Sequence, residues 1–175
     1  MGKGRGGVME KVSFLKKMPV FEGLGDKQIE IILEGMETKE FAQGKVVIRE
    51  GEEGDEMYII YEGMVEVSHS LTLPTEEANS PPAEKALSRL SAEDYAFFGE
   101  IGLLERSRRT ATVTTLTPSR FMVITADNFK KIGKNYPEIG YQVITNIARV
   151  LCSRLRKANE DVLKLTTALS VIISR

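Results

Sequence analysis

Between Thr38 and Ile124 the chain is cut into short segments rich in Val, Ile, Tyr and Thr, with glycine-bearing turns between them. Val46-Val47-Ile48-Arg49 reads as a strand, Gly51 to Asp55 as a tight turn, and Met57 to Tyr61 as the returning strand. Glu62-Gly63 then turns the chain into Met64 to Ser68. After a gap, Leu87 to Leu90, Thr112 to Leu116 and Arg120 to Ile124 resume the pattern, the last two joined by a turn at Pro118-Ser119. Such short runs suit strands, and recurring at this spacing they predict a β-sandwich or barrel. The turn glycines serve wherever φ must be positive.

Helical spacing appears on either side. Ile29, Ile32, Leu33 and Met36 recur at helical intervals behind Asp26, which we expect to cap that helix. Phe14-Leu15 and Pro19-Val20-Phe21 form an apolar lead-in, and residues 1–11, rich in glycine, are expected to be a mobile leader. Thr125 reads as the N-cap of a helix running through Asn128 to Ile132. A long helix is predicted from Pro137, over 137–175. Ala148, Leu151, Leu155, Ala158, Val162, Leu165, Leu169 and Ile172 alternate spacings of three and four along it. That is a coiled-coil seam, and it predicts a parallel homodimer. The first half of the helix has a competing use, as a cover for its own domain. Residues 71–86, with Pro74, Pro81 and Pro82, cannot pair as a central strand and are expected to form an exposed loop.

Bulk properties exclude several classes of function. The 24 basic and 25 acidic residues nearly cancel, so total charge points to neither nucleic acid nor an anionic membrane. No apolar run approaches the ~18 residues of a membrane span, and no signal peptide opens the chain, so the expected compartment is the cytoplasm. The sole cysteine, Cys152, rules out a disulfide within the chain and is expected to be buried or interfacial. The sole histidine, His69, has no metal-ligand spacing around it, and neither a catalytic triad nor a Walker loop is present. We therefore expect no enzyme, no metal and no cofactor.

The chemistry concentrates in Phe98-Gly99-Glu100-Ile101-Gly102-Leu103-Leu104, followed by Arg109-Thr110-Ala111-Thr112-Val113. Glycine lets the backbone approach a ligand, a carboxylate accepts hydroxyl protons, and an arginine fork pairs with two oxygens of an anion. A sugar bearing a phosphate needs all three. In order and spacing this stretch resembles the phosphate-binding cassette of cyclic nucleotide-binding domains. The block Gly51, Gly54-Asp55, Tyr58, Gly63, Val65 and Val67 is similar to that family's first hairpins. The resemblance covers roughly residues 12 to 165 and implies an eight-stranded β-roll (a jelly roll) over 12–136, with helices before it and a long lid or dimerisation helix after it.

The resemblance also implies roles. Glu100 would hold the ribose and Arg109 the cyclic phosphate of cAMP or cGMP. Ile101 to Leu104 would form one helical turn, with Gly99, Thr110 and Ala111 adding backbone amides. Val67, Leu87 and Leu90 would line sugar and base, and Asn159 on the long helix would reach the base. Thr110 leaves both nucleotides open. Ligand would then draw the long helix inward, which makes the expected function a cyclic nucleotide sensor. The alternatives are a ligand-free dimerisation or docking scaffold and the sensor fragment of a larger transcription regulator, kinase or channel. Two departures stand out: Arg108 replaces a frequent proline, and the approach Asp94 to Gly99 is two residues longer than usual. Arg149, Arg154, Arg156 and Lys157 are interspersed with acids and read as a solvated face, so no direct DNA binding is expected.

Overall fold

Apolar residues occupy both faces of two central strands, and this sets the layering of the molecule. The computed structural model describes residues 3–70 and 84–173, with side chains for 7–70 and 88–173. Helix α1 (Lys3–Leu15), a 3-10 turn (Pro19–Phe21) and α2 (Asp26–Glu34) precede β1 (Glu37–Phe41), β2 (Val46–Ile48), β3 (Glu56–Glu62) and β4 (Met64–Ser70). Then come β5 (Glu84–Ser91), β6 (Phe97–Phe98), α3 (Glu100–Glu105), β7 (Thr112–Thr115), β8 (Ser119–Thr125), α4 (Ala126–Asn135) and α5 (Pro137–Ile173). The strands form two antiparallel sheets ordered β1-β8-β3-β6 and β2-β7-β4-β5, the predicted eight-stranded roll.

Strands β3 and β8 pair in register, Tyr58 opposite Val123 and Ile59 opposite Met122. Successive side chains point to opposite faces of a strand. Tyr58, Ile60, Phe121 and Val123 accordingly fill the interior of the roll with Val65, Phe98 and Val113. Met57, Ile59, Met122 and Ile124 face outward into a second core built with Leu15, Phe21, Ile29, Ile139 and Val143 from the helical layer. Burial on both faces explains why these strands read as continuous apolar runs.

Local chemistry fixes the helix ends. Thr125 caps α4 as predicted, its Oγ1 accepting from the Asn128 amide at 3.2 Å. At α2 the cap is Gly25 and not Asp26: the Gln28 Oε1 accepts from the Gly25 amide at 2.9 Å, and Asp26 is the first helical residue. The expected mobile leader 1–11 is helical from Lys3, because α1 is anchored at its far end by buried Val12 and Leu15. Residues 71–83 of the predicted loop lie outside the described residues. Its last three positions, 84–86, belong to β5, where Glu84, Lys85 and Ala86 pair with Ser70, His69 and Ser68.

Helix α5 has two unlike halves. Ile139, Val143, Asn146 and Ile147 are buried against the domain. The Asn146 amide donates to the carbonyls of Val20 and Glu22, at 3.2 and 2.8 Å. From Cys152 to Ile173 every side chain is exposed. Cys152, expected to be buried or interfacial, is therefore not buried within its own chain.

Candidate functional site

A cavity of about 460 Å³ lies between the β2-β7-β4-β5 sheet, α3 and the middle of α5. Its sheet wall carries Val67 and Leu90, both half-buried, and its floor carries Gly99, Glu100, Ile101, Arg109, Thr110 and Ala111. Eight of the ten residues singled out in the sequence thus line one cavity. Leu87 lies in β5, but its side chain is outside the described residues. Asn159 does not line the cavity: α5 presents Arg154 and Lys157 to it. Two residues beyond Lys157 on a helix is a rotation of about 200°, which turns Asn159 away.

Arg109 is held from several directions and is only 7% exposed. Its amide donates to the Glu52 carbonyl at 2.8 Å, and its own carbonyl accepts from Gly51 at 2.9 Å. These bonds clip the cassette onto the turn after β2. The guanidinium Nη1 donates to the Glu56 carbonyl at 2.8 Å, and its Cζ lies 5.9 Å from the centre of the Tyr58 ring. Gly102 packs directly against it, and a Cβ there would lie 2.8 Å from Nη1 and 2.5 Å from the Gly54 carbonyl. Gly99 adopts a φ of +83° at the start of α3, and a Cβ there would lie 2.6 Å from the Glu56 carbonyl. Both glycines are therefore steric requirements of the arginine's berth.

Glu100 is the first residue of α3 and is 5% exposed. A buried carboxylate needs a partner. Here it is Arg154 of α5, whose Nη1 donates to Glu100 Oε1 at 2.5 Å. Arg154 Nη2 donates to the Phe97 carbonyl at 3.1 Å, and the guanidinium lies 5.0 Å from the Phe97 ring centre. The expected solvated basic face is thus corrected at Arg154, which ties α5 to the cassette, and at Lys157, which lines the cavity.

The approach from β5 to the cassette leaves Glu100 lining the cavity floor. That approach forms a turn in which the Tyr95 amide donates to Ala92 and the Ala96 amide to Ser91, at 3.1 and 3.3 Å. Tyr95 packs on Phe14 of α1 with ring centres 5.5 Å apart. Residues Arg106 to Ala111 then return to β7, and the side chain of Thr110 is exposed at the cavity edge.

Behind Arg109 lies a hydrogen-bonded trio, Lys39, Glu56 and Tyr58, that sequence reading missed. Lys39 Nζ donates to Glu56 Oε1 at 2.6 Å, and the Tyr58 hydroxyl donates to Glu56 Oε2. Burial alone would raise the Glu56 carboxyl, yet the hydrogen bonds from Lys39 and Tyr58 and the charges of Lys39 and Arg109 hold it below the usual carboxylate range. Burial and the bond to Glu56 push the Tyr58 phenol upward. His69, also on the cavity wall, sits with Nδ1 3.7 Å from a Glu50 carboxylate oxygen. Among the described residues no three acidic, His or Cys side chains converge to hold a metal ion, and no helix is long and apolar enough to cross a membrane.

A family model described as "Cyclic nucleotide-binding domain" matches residues 38–136. The chain is 32% identical over 126 residues to cGMP-dependent protein kinase, isozyme 1, of Drosophila melanogaster, covering 71% of this chain and 15% of that one. It is 28% identical over 148 residues to a CRP-like cAMP-activated global transcriptional regulator of Mycobacterium tuberculosis, covering 84% of this chain and 59% of the regulator. The chain thus spans only part of the length of either relative. A crystal structure of a cyclic nucleotide-binding domain from Methylobacillus flagellatus superposes with a TM-score of 0.74 over 89% of this chain and 82% of that one, at 20% identity. That likeness confirms the fold.

Proposed function

The chain belongs to the cyclic nucleotide-binding domain family, and from that premise we propose that it is a sensor for cAMP or cGMP whose output is the distal half of α5. One observation carries the reading: a buried carboxylate, Glu100, and a buried guanidinium, Arg109, line one cavity, and each is fixed by a different partner. Arg109 meets the cyclic phosphate with the donors that the Glu56 carbonyl leaves free. Glu100 accepts from the ribose 2′-hydroxyl. Val67 and Leu90 cover the apolar faces of sugar and base. The two curated relatives are named for cGMP and for cAMP, so both nucleotides stay candidates.

Arg154 is the coupling element of this proposal. It grips Glu100 with one amino group and the Phe97 carbonyl with the other. A ligand that engages Glu100 therefore acts on α5 through a bond already in place, and its binding is coupled to helix position only as far as it favours one arrangement over another. Beyond Arg154 the exposed Leu155, Val162, Leu165 and Leu169 form the seam of a parallel homodimer.

Calorimetric titration with cAMP and with cGMP tests the binding step. We expect micromolar or tighter affinity for one of them and loss of binding in Arg109→Glu, by at least about a hundredfold, because the variant sets a carboxylate against the phosphate. No binding of either nucleotide by the unaltered chain would leave the ligand-free docking scaffold as the better reading.

A further inference from the structure

The environment of Arg109 contains a competitor for its charge. The Glu56 carboxylate belongs to the residue whose carbonyl already accepts from Arg109 Nη1, and its acidity responds to the Arg109 charge. A guanidinium beside a partly buried carboxylate ordinarily turns to it, because a paired fork is the strongest arrangement open to both groups. Here the carboxylate is engaged elsewhere. Lys39 takes Oε1 at 2.6 Å and Tyr58 takes Oε2, so both oxygens have donors other than Arg109.

Lys39 arrives from a different strand. It lies on β1, which reaches β3 only across β8. Glu37 holds the same ammonium at 3.0 Å from the side nearer solvent. Tyr58 completes the arrangement: Lys39 Nζ and Arg109 Cζ lie 5.8 and 5.9 Å from its ring centre, and Phe98 stacks on it at 5.1 Å. The two cations are thus placed around one aromatic ring, with the carboxylate paired to the lysine.

We propose that Lys39 is a positioning residue for anion binding: by engaging Glu56 it keeps that carboxylate from capturing Arg109, so that the guanidinium is available to the ligand's phosphate. The inference rests on the sensor reading for its ligand, but not for its geometry. Without Lys39, the Glu56 carboxylate keeps only the Tyr58 hydroxyl as a donor, and its uncompensated charge competes with the phosphate for Arg109. Without Glu56 as well, the competition vanishes.

The test is a pair of exchanges read two ways. Lys39→Met should weaken binding of the preferred cyclic nucleotide by about tenfold, the scale expected for one uncompensated charge in a partly screened site. Lys39→Met with Glu56→Gln should recover most of that loss. Wild-type affinity in Lys39→Met, or equal weakness in the single and double variants, overturns the proposal. So does a recovery of affinity that merely follows a recovery of melting temperature, since neutralising Glu56 also relieves the carboxylate left unpaired by a purely structural lysine. Lys39→Gln, which keeps a polar chain of similar reach, stands in if the methionine variant does not fold. The second reading needs no nucleotide: the Arg109 Nε–H resonance of ¹⁵N-labelled protein should shift in Lys39→Met and return in the double variant. If the unaltered protein binds neither nucleotide, the sensor reading falls while this resonance still decides the role of Lys39. An unmoved resonance overturns that role.

Discussion

The two halves of α5 share one helix and one apolar rhythm, yet they meet opposite surroundings. In the first half Ile139, Val143 and Ile147 are each 1% exposed or less; in the second Leu155, Val162, Leu165 and Leu169 are each 58% exposed or more. Apolar spacing alone therefore does not say what a helix packs against. The helix of 37 residues would be about 55 Å long, well beyond the reach of a small roll. The first half is committed to its own domain, and Arg154 marks the boundary between the halves. In the proposed homodimer the second half packs against its twin, and the largest effect is expected there.

Val162→Glu combined with Leu169→Glu places a charge at two seam positions seven residues apart. If the distal half forms a parallel homodimer, sedimentation should show self-association weakened on the order of a thousandfold, about 4 kcal/mol. The melting temperature of the roll should stay put, since neither residue touches it. A chain that is already monomeric before substitution would assign the seam to some other partner.

The contrasting half should respond in stability alone. Asn146 is 1% exposed, its amide donates to the carbonyls of Val20 and Glu22, and its Oδ1 accepts from Gln142 and Arg149, each at 3.2 Å. Asn146→Ala leaves the buried Val20 carbonyl without this donor, while the Glu22 carbonyl keeps Gln142, and should cost about 1–3 kcal/mol in urea denaturation. Self-association through the distal half should not change once folding is restored. A coupled loss of both would show that the halves are one unit.

These differences explain how far the sequence could be read. The roll was legible because β3 and β8 announce themselves as apolar runs bounded by turns, and Thr125 because a cap is a local signal. The cassette was legible because glycine, carboxylate and arginine keep short fixed spacings there. Arg154 was hidden, since 54 residues separate it from Glu100 and its neighbours on the helix are also charged. Lys39 was hidden for a related reason: its pairing with Glu56 exists only once β1, β8 and β3 are in register. Asn159 was placed by resemblance to the family's long helix, and such a resemblance does not carry helical rotation, which in this chain turns Arg154 and Lys157 to the cavity. At Gly25 the cap depended on Gln28 reaching back, which an acidic residue next door obscured.

The smallest predicted effect sits at the boundary itself. Arg154→Ala leaves Glu100 buried without its cation, and it also frees the Phe97 carbonyl. The Glu100 carboxylate can still accept from a ribose hydroxyl, but nothing then fixes its direction. Nucleotide affinity should fall by about tenfold, or about 1.4 kcal/mol. The more telling readout is hydrogen exchange along residues 152–165. In the unaltered chain ligand should raise protection there, and in Arg154→Ala that response should vanish even at saturating ligand. A retained response would mean that the domain moves the distal helix through Lys157 or through the packed first half, and the boundary between the halves would lie elsewhere.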